Sequence, residues 1–310
     1  MTAPDLSVSL CGIHLHNPLV LASGILGTSA ELLERVAQCG AGAVTSKSCS
    51  PMPRVGHPNP TVLDWGHGLI NAVGLSNPGA DEEVPILHEA RSRLALLDVP
   101  LIASVFAETV NGFAEVARKV AEAKPDFIEV NISCPNVEAE FGRPFAADPR
   151  AAAAVTATVR KAVSLPIIVK LSPNVADIAA IARAVESEGA DAIAAINTLG
   201  PGMVIDLDSG KPILANRVGG VSGPAIRPIA VRCVYDVSRA VRVPVIGMGG
   251  VTCGRDAVEM IMAGAAAVGV GTAVYYRGPE VFAAIRDELS EFMETHGYSG
   301  IQQMRGLAHA

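Results

Sequence analysis

A unit repeated along almost the whole chain constrains its fold most: a short β-branched run, a turn rich in Gly, Ser and Asn, and an Ala-rich stretch with helical spacing. Strand-like runs occur at 18–22, 43–46, 101–105, 127–131, 167–171, 192–197, 243–247 and 266–270. Helix-like stretches occur at 30–39, 82–96, 111–123, 148–163, 175–188, 224–240, 254–263 and 279–295. Such alternation predicts parallel strands with right-handed crossovers, and eight units match a closed (β/α)8 TIM barrel of the α/β class.

The remaining patterning agrees with a single domain over residues 1–310. Apolar and polar residues alternate over 6–16 around Cys11-Gly12, which predicts an N-terminal β-hairpin that closes the bottom of the barrel. With 50% hydrophobic and 18% charged residues, the chain can bury a large core. Barrels of this class reach about 250 residues as one unit, so no second domain is needed.

Composition argues against several classes of partner. The 24 Lys and Arg against 31 Asp and Glu give a net charge of -7, and aromatic residues make up 4%, so we expect no nucleic-acid partner. The apolar runs are too short to span a membrane, and residues 1–10 lack a targeting signal, so we expect a cytoplasmic protein. Six dispersed cysteines without a CxxC pair, and histidines without metal-binding spacing, predict reduced thiols and no metal site.

Three connections are longer than usual, at 49–81, 133–147 and 199–222. They follow the second, fourth and sixth predicted strands. All three therefore emerge at the C-terminal face, where barrel enzymes hold their active sites. Long loops of this kind are usually functional.

Lysines and asparagines gather at these strand ends. Two of the six lysines, Lys47 and Lys170, end apolar strands, where an ammonium group needs an anionic or carbonyl partner unless it reaches solvent at the rim. The asparagines of the same loops are Asn71, Asn131, Asn136 and Asn197. Any one of them can serve a turn or a helix cap. Together they suit a pyrimidine-like ring with alternating N–H and C=O groups.

Glycines mark the other side of the predicted mouth, at 219–223, 247–250 and 269–272. Each segment alone can be a tight turn. Together, after neighbouring strands, their backbone N–H groups favour a phosphorylated ligand. No GxGxxG follows an early strand, which argues against a nicotinamide-binding Rossmann site.

Cys134 is the cysteine that lies in a turn-rich loop at a strand's C-terminal end. Its thiol can act as a base where its surroundings lower its pKa or where the pH is slightly alkaline. Cys39, Cys233 and Cys253 are more typical of buried, inert thiols. Asp206 and Asp208 could pair as acid and base, although DLDSGKP is more simply a solvated turn.

Several motifs in order resemble one family. They are NAVGLSNPG at 71–79, NISCPN at 131–136, KLSPN at 170–174, INT at 196–198, GGVSGPAIRP at 219–228 and GMGGV at 247–251. From about residue 6 to 276 the chain is similar to the class 1 dihydroorotate dehydrogenases. The resemblance implies an FMN-dependent oxidation of (S)-dihydroorotate to orotate in de novo pyrimidine biosynthesis.

The resemblance also implies roles for individual residues. Cys134 would remove the C5 proton while a hydride passes from C6 to N5 of FMN, and Lys47 would hold both substrate and flavin. The implied substrate contacts are Lys47, Asn71, Ala72, Val73, Gly74, Leu75, Asn131, Asn136, Asn197 and Thr198. The implied FMN contacts are Ala22, Ser23, Gly24, Lys47, Ser48, Ser104, Asn131, Lys170, Ile196, Gly223, Gly249, Gly250, Gly271 and Thr272. Ser104 stands where relatives commonly have an Asn that contacts FMN.

Within the family, a cysteine base and the lack of a membrane-associating extension favour class 1 over class 2. NAVGLSNPG and a fourth loop without a basic cluster resemble the class 1B catalytic subunit. This implies a homodimer, extended to a heterotetramer by an electron-transfer subunit that carries FAD and an iron–sulfur cluster and reduces NAD.

The alternatives are a fumarate-using class 1A enzyme, or a related FMN barrel acting on another dihydropyrimidine. Two further alternatives are a non-redox barrel with Lys170 as an amine nucleophile, and a catalytically idle subunit that only binds a partner.

Overall fold

The computed structural model describes residues 3–133 and 144–310. The strands are β1 (Val8–Leu10), β2 (Ile13–Leu15), β3 (Leu19–Leu21), β4 (Ala43–Thr45), β5 (Val62–Asp64), β6 (Leu69–Asn71), β7 (Leu101–Val105), β8 (Phe127–Asn131), β9 (Ile167–Leu171), β10 (Ala192–Ala195), β11 (Leu199–Gly202), β12 (Ile205–Asp206), β13 (Lys211–Pro212), β14 (Gly219–Ser222), β15 (Val245–Met248) and β16 (Ala267–Val270). The helices are α1 (Ala30–Gln38), α2 (Ala80–Ala95), α3 (Val110–Ala121), α4 (Pro149–Ala162), α5 (Ile178–Ser187), α6 (Arg227–Ala240), α7 (Gly254–Met262), α8 (Ala273–Arg277) and α9 (Val281–His296).

A closed parallel barrel forms the centre of the described part of the chain. Its strands follow the order β3-β4-β7-β8-β9-β10-β15-β16, and β16 pairs with β3 to close the ring. Strands β7, β8 and β9 are buried along their whole length because helices cover them outside and side chains fill the interior. The predicted (β/α)8 barrel is confirmed.

The surrounding helices begin where the sequence supplies capping side chains. Ser29, Thr109 and Asp177 each accept a hydrogen bond from a backbone N–H in the first turn of α1, α3 and α5. Such caps satisfy donors that have no partner within the helix. Each of these helices then buries an apolar face against the barrel, which fixes where the intervening strands end.

The hairpin of β1 and β2 lies at the N-terminal end of the barrel, as predicted. Val8 pairs with Leu15 in antiparallel register, and Cys11 and Gly12 make the turn with positive φ angles of 51° and 83°. The Cys11 thiol donates to the carbonyl oxygen of Asp191 at 3.3 Å, just before β10 begins. The opposite end of the barrel therefore stays open to the loops.

A second sheet covers that open end, where the sequence predicted only loops. Its order is β11-β14-β6-β5, so the segments 49–81 and 199–222 are joined by antiparallel pairing, with Asn71 opposite Gly220. At Gly219 a Cβ atom would lie 2.5 Å from the carbonyl oxygen of Asn71, so this close approach requires glycine. We refer to these four strands as the mouth sheet.

Within the described ranges, no helix is both long enough and apolar enough to cross a membrane.

Candidate active site

A cavity of about 550 Å³ lies between the C-terminal ends of the barrel strands and the mouth sheet. This volume is typical of a small-molecule site. Most residues of the predicted site line this cavity. They are Ala22, Ser23, Gly24, Lys47, Ser48, Asn71, Ala72, Val73, Gly74, Leu75, Asn131, Lys170, Ile196, Asn197, Thr198, Gly223, Gly249, Gly250, Gly271 and Thr272. The structure thus brings both predicted sides of the mouth to one cavity.

One predicted site residue within the described ranges is not among the lining residues. Ser104 is 1% exposed and lies next to Ser48, behind the cavity wall. Cys134 and Asn136 lie outside the described residues. Polar residues that line the cavity but were not predicted include His57, Ser133, Asn174 and Asn216. Ser133 and Asn174 lie within the motifs NISCPN and KLSPN, so their place beside predicted residues was the available signal, whereas His57 and Asn216 lie outside the quoted motifs.

The charge of the cavity wall is positive. Lys47 and Lys170 both line it, and none of its described lining residues is Asp or Glu. A cavity with this balance favours an anionic ligand.

The two lysines differ in their partners. The Nζ atom of Lys170 donates to Oγ of Ser23 at 3.0 Å and lies 3.8 Å from Oε1 of Glu129, and both charged side chains are buried. The Lys47 ammonium has no ion-pair or hydrogen-bond partner among the described side chains, and burial lowers its pKa from the ordinary value. Lys47 is therefore the cation that is available to a ligand.

Glu129 was missed in the sequence. It lies in β8 and is 2% exposed, and its Oε1 accepts a hydrogen bond from Oγ of Ser104 at 2.8 Å. The signal was present: one carboxylate interrupts the apolar strand FIEVN, as Lys170 interrupts IIVKL. A charged side chain inside a barrel strand is costly unless it is paired.

The carboxamides converge as the sequence suggested. Oδ1 of Asn131 accepts from Oγ of Ser133 at 2.6 Å and from Nδ2 of Asn197 at 3.4 Å. Nδ2 of Asn71 donates to the carbonyl oxygen of Gly220 at 3.4 Å. Three amides therefore line one cavity with donors and acceptors held by neighbouring groups.

Glycines line the cavity at the ends of β15 and β16. Gly249 and Gly250 follow β15 with positive φ angles of 127° and 78°. A Cβ atom on Gly250 would lie 2.7 Å from Cβ of Arg227 and 2.9 Å from its backbone nitrogen. Gly271 follows β16, so glycines line the cavity at two neighbouring strand ends, where barrel folds commonly bind phosphate.

A parallel barrel whose mouth combines two lysines, a carboxamide cluster and glycine-rich strand ends has the form of an enzyme site. The sequence profile of the family described as dihydroorotate dehydrogenase matches residues 5–293. The chain therefore belongs to the dihydroorotate dehydrogenase family.

Curated relatives place it within that family. The chain is 50% identical over 305 residues to "Dihydroorotate dehydrogenase B (NAD(+)), catalytic subunit" of Methanosarcina mazei, covering 98% of this chain and 95% of that protein. It is 48% identical to the protein of the same name from Methanothermobacter thermautotrophicus, with 98% of each chain covered. The Bacillus pumilus protein of that name is 44% identical over 97% of this chain and 96% of its own length. The expected resemblance to class 1B catalytic subunits, and to an oxidoreductase, is confirmed.

Proposed function

We propose that this chain oxidises (S)-dihydroorotate to orotate with FMN as its cofactor, in de novo pyrimidine biosynthesis. The observation that carries the proposal is a positively charged cavity that has no carboxylate among its described lining residues and is flanked by three amides. Dihydroorotate has one carboxylate and a ring with N–H and C=O groups. Its charge matches the lysine, and its ring edge matches the carboxamides.

The glycine-lined part of the wall fits FMN. Glycines at 249, 250 and 271 leave backbone N–H groups accessible for a phosphate, and the added Cβ contacts at Gly250 show how little room a side chain would have there. Ala22, Ser23 and Lys170 would hold the ring system. When bound, FMN supplies the two-electron acceptor that oxidation of a CH–CH bond requires.

Lys47 would bind the substrate carboxylate. Its ammonium is largely withdrawn from water and has no anionic partner among the described side chains, so burial lowers its pKa. A bound carboxylate would restore the lost charge stabilisation and accept a strong, charge-assisted hydrogen bond. The same ammonium would orient the substrate, because the amides of Asn131 and Asn197 fix the position of the ring beside it.

Cys134 would be the base at C5. It follows Ser133, which lines the cavity, in the chain. The thiolate takes the C5 proton and the C6 hydride leaves to the acceptor, so the C5–C6 double bond of orotate forms. Because an ordinary thiol has a pKa of about 8.5, we expect the rate to rise from neutral to slightly alkaline pH.

Cys134→Ser tests this role. The substitution removes the stronger base but leaves the lysines and glycines of the cavity in place. We expect turnover at pH 7 to fall by about 100-fold or more, in the range that general-base catalysis supplies, with flavin content unchanged. Loss of flavin in the variant, or wild-type turnover, would contradict the assignment.

The electrons would then pass to NAD through a partner subunit that carries FAD and an iron–sulfur cluster, in a heterotetramer built on a homodimer. The support is the name shared by the relatives, which includes both NAD(+) and a catalytic subunit. In the described ranges Cys11, Cys39, Cys49, Cys233 and Cys253 are free thiols, and no group of three or more metal-binding side chains occurs.

Anaerobic reduction of the bound flavin tests the proposed function. Dihydroorotate should bleach the flavin absorbance, and dihydrouracil, which lacks the carboxylate, should not. Bleaching by dihydrouracil alone would favour a related dihydropyrimidine dehydrogenase, and a colourless protein would exclude flavin chemistry. Reoxidation of the isolated chain by fumarate would favour a class 1A enzyme, whereas reoxidation by NAD only after the partner is added would support class 1B.

A further inference from the structure

We propose that Glu129 is a positioning residue that fixes, through Ser104, which edge of Asn131 and Asn197 meets the substrate. The inference rests on the proposed function and adds a specificity determinant that lies outside the cavity. Neither Glu129 nor Ser104 lines the cavity, but each contacts a residue that does.

The first observation is a buried carboxylate with a hydroxyl donor. Ser104 and Glu129 are direct neighbours in the β7–β8 pairing, and Oγ of Ser104 donates to Oε1 of Glu129 at 2.8 Å. Lys170 lies 3.8 Å from the same oxygen, beyond hydrogen-bond distance but within reach of its charge. A carboxylate can only accept, so the single Ser104 proton is committed to it.

Because the Ser104 proton is used in this way, the donor and the acceptor of the next hydrogen bond are also fixed. The hydroxyl oxygens of Ser48 and Ser104 are 2.7 Å apart, and because the Ser104 proton is already used, Ser48 must donate. The Ser48 oxygen then has only acceptor capacity left. It accepts from Nδ2 of Asn131 at 3.3 Å.

The same order of donors and acceptors extends to Asn131, which lines the cavity. With its Nδ2 held by Ser48, its Oδ1 faces Ser133 and Asn197, which both line the cavity. A flipped amide would set Oδ1 against the Ser48 oxygen, whose proton is spent, and two acceptors would meet. A buried acceptor that loses its donor is costly, so one orientation is strongly preferred.

The consequence is a fixed pattern of donors and acceptors toward the substrate. Nδ2 of Asn197 is held by Oδ1 of Asn131 and by Oγ of Ser133, and its Oδ1 accepts from the backbone N–H of Thr198 at 2.8 Å. Oδ1 of Asn131 already accepts hydrogen bonds from Ser133 and Asn197, whereas Oδ1 of Asn197 accepts one and keeps a lone pair that suits a ring N–H group. One carboxylate behind the wall therefore orients both amides.

The experiment compares holoenzyme variants by orotate binding, measured from the change it causes in the flavin spectrum. Ser104→Ala breaks the connection with little change in shape, and Glu129→Gln keeps an oxygen acceptor in place. The matched control is Thr156→Val, which removes a buried hydroxyl in α4 that, among the described residues, donates only to the carbonyl oxygen of Ala152, at 2.9 Å.

We expect Ser104→Ala to weaken orotate binding about tenfold, equivalent to about 1.4 kcal/mol, and to raise KM for dihydroorotate with kcat nearly unchanged. Glu129→Gln should retain affinity within about threefold, and Thr156→Val should match the wild type. If Ser104 acts through Asn131, then adding Ser104→Ala to Asn131→Ala should cause no further loss.

Unchanged orotate affinity in Ser104→Ala, additive losses in the double variant, or an equal loss in Thr156→Val would overturn the inference. Flavin reduction in the wild type distinguishes failure of this inference from failure of the proposed function. A wild-type flavin that dihydroorotate does not reduce refutes the function, whereas normal reduction with wild-type affinity in Ser104→Ala refutes only the role of Glu129.

Discussion

The two lysines of the cavity should respond oppositely to the same substitution. Lys170 is paired with buried Glu129, so Lys170→Met leaves a carboxylate uncompensated inside the barrel. Breaking a buried pair in this way costs about 3–5 kcal/mol of folding stability. Lys47 has no anionic partner among the described side chains, so Lys47→Met removes a charge that is itself costly to bury. We expect that variant to be within about 1 kcal/mol of the wild type, or more stable.

The difference in stability between Lys47→Met and the wild type should depend on pH, because it depends on the pKa of Lys47. Burial lowers this pKa in the folded protein, so folding is disfavoured while the ammonium stays protonated. The cost is fully present below the lowered pKa and is relieved as the pH rises through it toward the ordinary value. Any stability advantage of Lys47→Met should therefore shrink at alkaline pH.

The assay is urea denaturation of flavin-free protein, because bound FMN would stabilise each variant to a different extent. Adding Glu129→Gln to Lys170→Met should recover part of the loss, since the unpaired carboxylate is gone. Dihydroorotate binding, measured on the holoenzyme, should still be lost in Lys47→Met. Equal destabilisation by the two lysine substitutions, or no recovery in the double variant, would refute the reasoning.

Two further predictions concern residues away from the amides. The carboxyl of Glu83 is buried, its Oε1 has no hydrogen-bond partner among the described residues, and burial raises its pKa to about 7. Because the folded state then binds more protons than the unfolded state above pH 4.5, stability should fall by about 3 kcal/mol as the pH rises from 4.5 to 7. Denaturation across that pH range should show this fall in stability in the wild type and in the exposed control Glu82→Gln, but not in Glu83→Gln. The same fall in Glu83→Gln as in the wild type would contradict the prediction. Gly250→Ala combines a φ of 78° with contacts of 2.7–2.9 Å to Arg227, so it should cost about 2–4 kcal/mol in thermal unfolding. In Gly271→Ala the new Cβ would lie 3.5 Å from Ala22, an ordinary contact, so stability should hold while flavin retention falls, and a comparable stability loss in both variants would argue against this account.

The barrel was predictable because its signal is local. Strands β7, β8 and β9 have the predicted bounds, since each is a mainly apolar run between a helix and a turn. The glycines and lysines at strand ends could also be predicted as site residues, because parallel strands bring their C-terminal ends together regardless of loop structure. The cavity residues at the ends of the barrel strands follow from that topology.

The mouth sheet was not predictable in the same way. Strands β6 and β14 are short, β14 begins with two glycines, and Asn71 pairs with Gly220 from a distant part of the chain. Neither segment shows the alternation that identifies a strand, so only the pairing itself defines them. Glu129 was missed for another reason: its role depends on Ser104, a neighbour on the adjacent strand.

The pairing of β6 with β14 also limits how this enzyme can be altered. The segment 71–75 lines the cavity and begins at the strand residue that is bonded to the 199–222 segment. Exchange of either segment alone for that of a relative would break the ladder that holds the other. Variant libraries that aim to change which substrate ring is bound should therefore exchange the two segments together, both taken from the same relative.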